Sequence, residues 1–135
     1  MRDRGSVVIV EDSKVILIKR VRNESVYYVF PGGGIEEGET PEHAAEREAF
    51  EELGVKVAIN GCLSTVEYNG KQFFFSADII EGEIGTGQGE EYTALNRERG
   101  TYQPMWMELD RLCSIDVKPR EVAKMIQYLF KGANL

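Results

Sequence analysis

The chain contains 135 residues with a net charge of −7 at pH 7; 42% of its residues are hydrophobic and 29% are charged. This length and composition predict a single globular domain over residues 1–135 with a hydrophobic core. The acidic balance argues against a nucleic-acid polymer as a partner, because a surface that binds one is basic. An acidic protein that handled a polyphosphate would need cations at its site.

The sequence also carries information about cellular location. Residues 1–5 are largely charged, and the apolar run that follows is soon broken by charged residues, unlike a signal peptide. No apolar run approaches the roughly 20 residues needed to span a bilayer. Cys62 and Cys113 fit no metal-binding spacing, so we expect buried, reduced thiols. These features predict a cytoplasmic protein that does not bind a membrane.

Three strands are predicted in the first 30 residues. The apolar runs 6–10 and 14–20 are separated by the polar residues 11–13, which predicts a hairpin. Both runs are nearly continuous rather than alternating, which is typical of strands covered on both faces. A third short strand, 26–30, leads into a glycine-rich turn at Gly32, Gly33 and Gly34.

A helix is predicted after the glycines. Thr40 is a suitable N-cap, Pro41 suits the first helical position, and Gly54 is a natural stop. The residues between them are rich in Ala, Glu and Leu, which favour helices.

The remaining chain predicts further strands and a second helix. A strand over 55–68, with a bulge or turn at Asn60-Gly61, is joined by Asn69-Gly70 to a returning strand over 71–80, and the two should pair antiparallel. Residues 81–100 are glycine-rich and show no period, which is typical of a functional or disordered loop. A last strand over 102–109 precedes a helix that begins near Pro119 and ends at Gly132. The order of elements predicts an α/β fold, with a mixed β-sheet between helices.

The first helix carries an acidic flank formed by Glu48, Glu51 and Glu52. Their spacing places the three carboxylates within an arc of roughly 100° on the helix surface. Like charges at this spacing repel one another by about 0.2–0.5 kcal/mol per pair. Converging carboxylate oxygens are also what a hard divalent cation binds. A solvated acidic face and a metal site are therefore both open readings of this triplet.

The spacing of the whole stretch from Gly33 to Val55 resembles the Nudix box. The matching positions are Gly33, Glu39, Arg47-Glu48, Glu51-Glu52, Gly54 and Val55, and the preceding run Phe30-Pro31-Gly32 also matches. One position departs: Ala49 stands where the family has a bulky aliphatic residue, and we expect Phe50 to fill the lost volume. The resemblance implies a Nudix-like α/β/α sandwich.

The resemblance also implies a reaction, which is hydrolysis of a pyrophosphate bond in a nucleoside diphosphate linked to another group, by attack of water on phosphorus. It implies Mg²⁺ as cofactor, with Mn²⁺ as a substitute, since divalent ions neutralise phosphates and activate water. Glu48 and Glu52 are the implied metal ligands, Glu51 is a further ligand or orients the water, and the carbonyl of Gly32 is an extra ligand. Arg47 would hold the glutamates in place.

Several other residues are candidates for the site. Glu91 or its neighbour Glu90 is the candidate general base or late metal ligand, and a solvent-exposed loop pair is the competing reading. Glu39 either binds metal through water or braces its loop. The predicted substrate-binding residues, for a small-molecule nucleotide, are Gly33, Gly34, Glu39, Tyr28 and Phe30, with the two aromatic rings as candidates for stacking on a base.

Two alternatives to an enzyme remain open from the sequence. The first is a Nudix-fold sensor that binds a nucleotide without hydrolysing it, although such proteins usually lose box glutamates that are present here. The second is an acidic metal-binding scaffold, which leaves the glycines and Arg47 unexplained. An exposed strand edge would also suit a homodimer.

Overall fold

A computed structural model of the protein describes residues 2–84 and 101–132. These residues form two compact units, which are residues 2–9 with 31–84 and residues 10–30 with 101–132. The single domain over residues 1–135 stays a prediction. The strands are β1 (Arg4–Val8), β2 (Val10–Glu11), β3 (Lys14–Arg22), β4 (Ser25–Val29), β5 (Gly32–Gly34), β6 (Lys56–Glu67), β7 (Lys71–Glu81), β8 (Thr101–Glu108) and β9 (Val117–Lys118), and the helices are α1 (Pro41–Leu53) and α2 (Arg120–Gly132).

The first unit is a four-stranded sheet with α1 packed on it. Its strand order is β5-β1-β7-β6, in which β1 runs antiparallel to β5 and parallel to β7, so the sheet is mixed. The start of α1 lies directly on β1, since a Cβ at Gly5 would stand 2.5 Å from the carbonyl oxygen of Pro41. Glycine at this position therefore lets the helix approach the strand closely.

The second unit is built on a five-stranded sheet. Strands β2 and β4 pair with successive parts of β3, β9 pairs with β4, and β8 pairs with β3 along residues 14–21. Helix α2 buries Val122, Ala123 and Ile126. It is tied to a 3₁₀ helix, Leu109–Ser114, by a 2.9 Å hydrogen bond from Gln127 Nε2 to the carbonyl of Leu109.

Most predicted elements are confirmed. Helix α1 has the predicted bounds and caps, and β6 and β7 form the antiparallel hairpin at Asn69-Gly70, with a register shift at Asn60-Gly61. The last strand and the second helix also lie where the sequence placed them. The central residues of β1 and β3 are buried, as their continuous apolar runs predicted. Residues 85–100, which contain most of the predicted loop, lie outside the described residues.

The first predicted hairpin is wrong for most of its length. Only Val10 and Glu11 pair with β3, because β1 is taken up by β5 and β7. The glycines form a strand rather than a turn. Strand β9 and the 3₁₀ helix were not predicted from the sequence.

Two predictions about side-chain burial are corrected by the structure. Cys62 and Cys113 are free thiols, as expected, but both are exposed, because one lies on the edge strand β6 and the other in the surface 3₁₀ helix. Phe50 is 61% exposed and does not fill the volume beside Ala49. It stands about 100° around the helix from Ala49, on the side away from the buried face.

Within residues 2–84 and 101–132, no helix combines the length and apolar character that crossing a membrane requires.

Candidate active site

Helix α1 is capped at both ends, and its alanines and a leucine pack on the sheet. Thr40 Oγ1 accepts a 3.1 Å hydrogen bond from the backbone N–H of His43. At the other end Gly54 adopts φ 76°, and its N–H donates to the carbonyl of Phe50. This left-handed conformation favours glycine. The buried face consists of Ala44, Ala45, Ala49 and Leu53.

Arg47 connects the acidic flank to the loop and to the glycine strand. Its Nε and Nη2 donate to the two carboxylate oxygens of Glu39 at 2.7 and 3.0 Å. Its Nη1 donates to Glu48 at 3.0 Å and to Glu51 at 3.3 Å, and Nη2 also donates to the carbonyl of Gly34 at 3.0 Å. The five N–H groups of this guanidinium thus have five acceptors. Arg47 thus bonds to three glutamates, and its role in holding them for a metal stays a prediction.

Glu39 braces the loop between β5 and α1. Besides the pair of bonds from Arg47, its Oε1 accepts a 2.9 Å bond from the backbone N–H of Glu36. The hydrogen bond from Arg47, followed by that backbone bond, lowers the pKa of Glu39 from 4.5 to about 2. Glu39 is therefore ionised throughout the physiological range, and its contacts favour the bracing role over the water-mediated metal role.

Glu52 is the most perturbed carboxyl of the site. Its Oε1 accepts a 2.8 Å hydrogen bond from the backbone N–H of Gly32. Burial, followed by the charge of Glu48, raises the pKa of Glu52 to about 8, although the Gly32 amide and Arg4 oppose the shift. The ionised form of this carboxylate thus lacks sufficient compensating positive charge.

The glycines of β5 make room for these side chains. A Cβ at Gly33 would overlap the carboxylate of Glu48, and a Cβ at Gly32 would overlap Ser6 Oγ. At Gly34, an added Cβ would stand 2.6 Å from the guanidinium carbon of Arg2. Each glycine therefore admits a neighbour that any larger residue would displace, and two of these neighbours are charged.

The donor set suits a hard divalent ion, since it consists of carboxylate and carbonyl oxygens. The raised pKa of Glu52 also suits a divalent ion, because a bound cation would compensate the negative charge of this half-buried carboxylate. As the side chains stand, no three acidic, His or Cys side chains in the part of the chain that the structure describes converge closely enough to hold a metal. Arg47 holds Glu48 and Glu51, and the Gly32 amide holds Glu52, so ion binding requires these side chains to turn.

The structure brings together Gly32, Gly33, Gly34, Glu39, Arg47, Glu48, Glu51 and Glu52, all in the first unit. Tyr28 and Phe30 belong to the second unit, where Tyr28 is half-buried and Phe30 is only 4% exposed. Glu90 and Glu91 lie outside the described residues. Arg4 was not predicted as a site residue, yet its Nη2 lies 3.3 Å from the carbonyl oxygen of Gly32. No sequence signal marks Arg4, because its place depends on the pairing of β1 with β5.

These features define an α/β protein whose helix holds a braced cluster of carboxylates against a glycine strand. The NUDIX domain model matches residues 1–129, so the chain belongs to the Nudix hydrolase family. The predicted Nudix fold is confirmed by similarity to a NUDIX hydrolase from Nitrosomonas europaea, with a TM-score of 0.70, 19% identity, and coverage of 96% of this chain and 89% of that one.

Two relatives show how far the sequence similarity extends. A putative 8-oxo-dGTP diphosphatase from Bacillus subtilis (strain 168) is 29% identical over 116 residues, which are 82% of this chain and 76% of that protein. The RNA pyrophosphohydrolase of Aeromonas hydrophila is 44% identical over 52 residues, which are 38% of this chain. The second match spans only 29% of the relative's own length.

Proposed function

We propose that this protein hydrolyses a pyrophosphate bond in a nucleoside diphosphate linked to another group, with Mg²⁺ as its resident ion and Mn²⁺ as a substitute. Family membership supports hydrolysis, and the two relatives are named as a pyrophosphohydrolase of RNA and a putative diphosphatase of 8-oxo-dGTP. The proposed substrate is a small-molecule nucleotide. A cytoplasmic location and a homodimer stay predictions.

The observation that carries the proposal is the environment of Glu52. A half-buried carboxyl with a raised pKa, beside a second carboxylate, is an unfavourable arrangement in a protein with no use for it. It becomes favourable when a cation binds, and Glu48, Glu51, Glu52 and the carbonyl of Gly32 are the proposed ligands. The ion would neutralise the phosphates and lower the pKa of a bound water.

The remaining residues position these groups. Arg47 orients Glu48 and Glu51, and the ionised Glu39 fixes Arg47 in turn. Gly33 admits the carboxylate of Glu48 next to the strand, and Gly34 offers its carbonyl to Arg47. In this proposal Glu51 is a ligand or orients the attacking water, and Glu91 is the candidate general base. Tyr28 stays a candidate for contact with the nucleotide base, whereas Phe30 is only 4% exposed and is a core residue.

The test is a panel of nucleoside triphosphates, nucleotide sugars and dinucleotides, incubated with the protein in Mg²⁺ and in EDTA. We expect metal-dependent release of phosphate, pyrophosphate or a mononucleotide from at least one compound. Glu52→Gln should lower turnover by roughly 100-fold or more, the scale of one essential acidic group. Glu42→Gln is the matched control, because Glu42 is an exposed residue of the same helix.

Binding without turnover across the panel would favour the sensor and contradict the proposal. Turnover by Glu52→Gln within a few-fold of the unmodified protein would remove Glu52 from the proposed ligand set.

A further inference from the structure

Arg47 and Arg4 each donate a hydrogen bond to a carbonyl of the glycine strand β5. They differ in how many of their N–H groups bond to the protein. Arg47 uses all five of its N–H groups within the protein. As long as Glu48 and Glu51 keep these bonds, this guanidinium has no donor left for a substrate. Even after Glu48 and Glu51 turn, Arg47 stays bound to Glu39 and to the carbonyl of Gly34, so it is less available to a substrate than Arg4.

Arg4 is the less engaged of these two arginines. It is an exposed residue at the start of β1, and its Nη2 donates one long hydrogen bond, 3.3 Å, to the carbonyl of Gly32. Among the described residues, 2–84 and 101–132, Arg4 makes no ion pair and no second hydrogen bond. Four of its five N–H groups are thus free of protein partners in the described part of the chain.

The contact that Arg4 makes is with a proposed metal ligand. The N–H of Gly32 donates to Glu52, while its carbonyl oxygen accepts from Arg4. Arg4 also lies near enough to Glu52 to oppose the rise in its pKa. Arg4 therefore stands at the oxygen and beside the carboxylate that a divalent ion would bind. Two positive groups cannot share these partners without repulsion.

We propose that Arg4 is a substrate-binding residue that leaves the carbonyl of Gly32 when a divalent ion takes that oxygen, and then binds a phosphate oxygen of the substrate. This inference rests on the proposed function and adds to it the group that anchors the phosphates. A guanidinium suits the task because its planar donors match phosphate oxygens in pairs. The pairing of β1 with β5 keeps Arg4 beside the glycines.

The first experiment measures the ion without any substrate. Mn²⁺ affinity is read from the electron paramagnetic resonance signal of free Mn²⁺ during titration of the protein. Arg4→Gln removes the competing charge, so Mn²⁺ should bind more tightly, by roughly 3- to 10-fold. Arg4→Lys keeps the charge and should bind Mn²⁺ about as the unmodified protein does. Arg111→Gln, an exposed arginine of the second unit, is the matched control.

The second experiment measures the phosphate anchor. With Mn²⁺ saturating, calorimetry of inorganic pyrophosphate should show roughly 10-fold weaker binding to Arg4→Gln, with Arg4→Lys between it and the unmodified protein. With a hydrolysed nucleotide, KM should rise by a similar factor while kcat stays within a few-fold. The inference is distinguished by two opposite changes in one variant: Arg4→Gln should bind Mn²⁺ more tightly and pyrophosphate more weakly.

A residue that only braces the strand would not give this signature. If Arg4→Gln weakens both affinities, or matches Arg111→Gln in both, the inference is overturned. Failure of the proposed function is a separate result, since the absence of turnover in the unmodified protein leaves the Mn²⁺ and pyrophosphate measurements intact. Should Arg4→Gln unfold, the pyrophosphate affinity of Arg4→Lys decides, and an unchanged value contradicts the proposal.

Discussion

At the scale of single residues, the geometry of the site depends on glycines, because neighbouring side chains occupy the space that a Cβ would fill. Gly33 is the clearest case, because the space of its absent Cβ is taken by the carboxylate of Glu48. That carboxylate also accepts a 3.0 Å bond from Arg47. An added Cβ at Gly33 should therefore act on the proposed metal site by displacing Glu48.

Gly33→Ala should displace the carboxylate of Glu48 and lower both Mn²⁺ affinity and kcat/KM. We expect a loss of roughly 10- to 100-fold, the scale seen when a metal ligand loses its support. Gly61→Ala is the control, because a Cβ at Gly61 meets nothing within 4 Å. Titration with Mn²⁺ and steady-state kinetics give the two readouts. Equal behaviour of the two variants would show that Glu48 relaxes without consequence.

At the scale of elements, the carboxylates are held in place by a helix whose ends are fixed. Thr40→Ala removes the oxygen that accepts from the N–H of His43 at 3.1 Å. The free energy of unfolding should fall by about 1 kcal/mol, as for other N-caps. Thr40→Ser keeps the oxygen and should lie within a few tenths of the unmodified protein. Urea denaturation measures both, and equal losses in the two variants would argue that the hydroxyl does not cap.

The elements also show why some structure could be predicted from sequence and some could not. Helix α1 and the turn at Asn69-Gly70 depend on residues close together in the chain, so their signals are local. The partners of β1 are instead β5 and β7, far along the chain. No local pattern reports such pairing, and the first predicted hairpin is wrong for this reason.

The candidate site divides in the same way. The Nudix box residues share one short stretch, and the resemblance found them together. Arg4 was missed because it joins them only through the register that places it opposite Gly34. The three glycines were taken for a turn, since glycine disfavours strands. They form a strand because they pair with β1, and Ser6, Glu48 and Arg2 occupy the space that larger side chains would need.

At the scale of the whole molecule, two carboxyl groups of the site tie the stability of the fold to pH in opposite directions. Glu39, with its pKa lowered to about 2, stabilises the fold above pH 4.5, and this contribution is lost as the pH falls towards 2. Glu52, with its pKa raised from 4.5 to about 8, stabilises the fold below pH 4.5, and this contribution is lost as the pH rises towards 8. The two windows do not overlap, so they can be measured separately in one protein.

In EDTA, the free energy of unfolding should fall as the pH rises from about 4.5 to about 8. In this window Glu52 keeps its proton in the folded chain and loses it in the unfolded chain, so a rise in pH favours unfolding. One such group contributes up to about 1.4 kcal/mol per pH unit. Denaturant titrations across the window measure the slope. Glu52→Gln should flatten it, whereas Glu42→Gln should leave it unchanged.

Adding Mg²⁺ should reverse this loss of stability, because an ion that binds the ionised carboxylates stabilises only the folded chain. The gain on adding Mg²⁺ should therefore be larger at pH 8 than at pH 5, and it should be much reduced in Glu52→Gln. A gain that is the same at both pH values would mean that the ion binds without drawing the proton from Glu52. A slope in EDTA that survives Glu52→Gln would assign the titration to a different group. Either result would argue that Mg²⁺ does not bind the Glu52 carboxylate. The two expected results together would show that a proton and Mg²⁺ compete for Glu52.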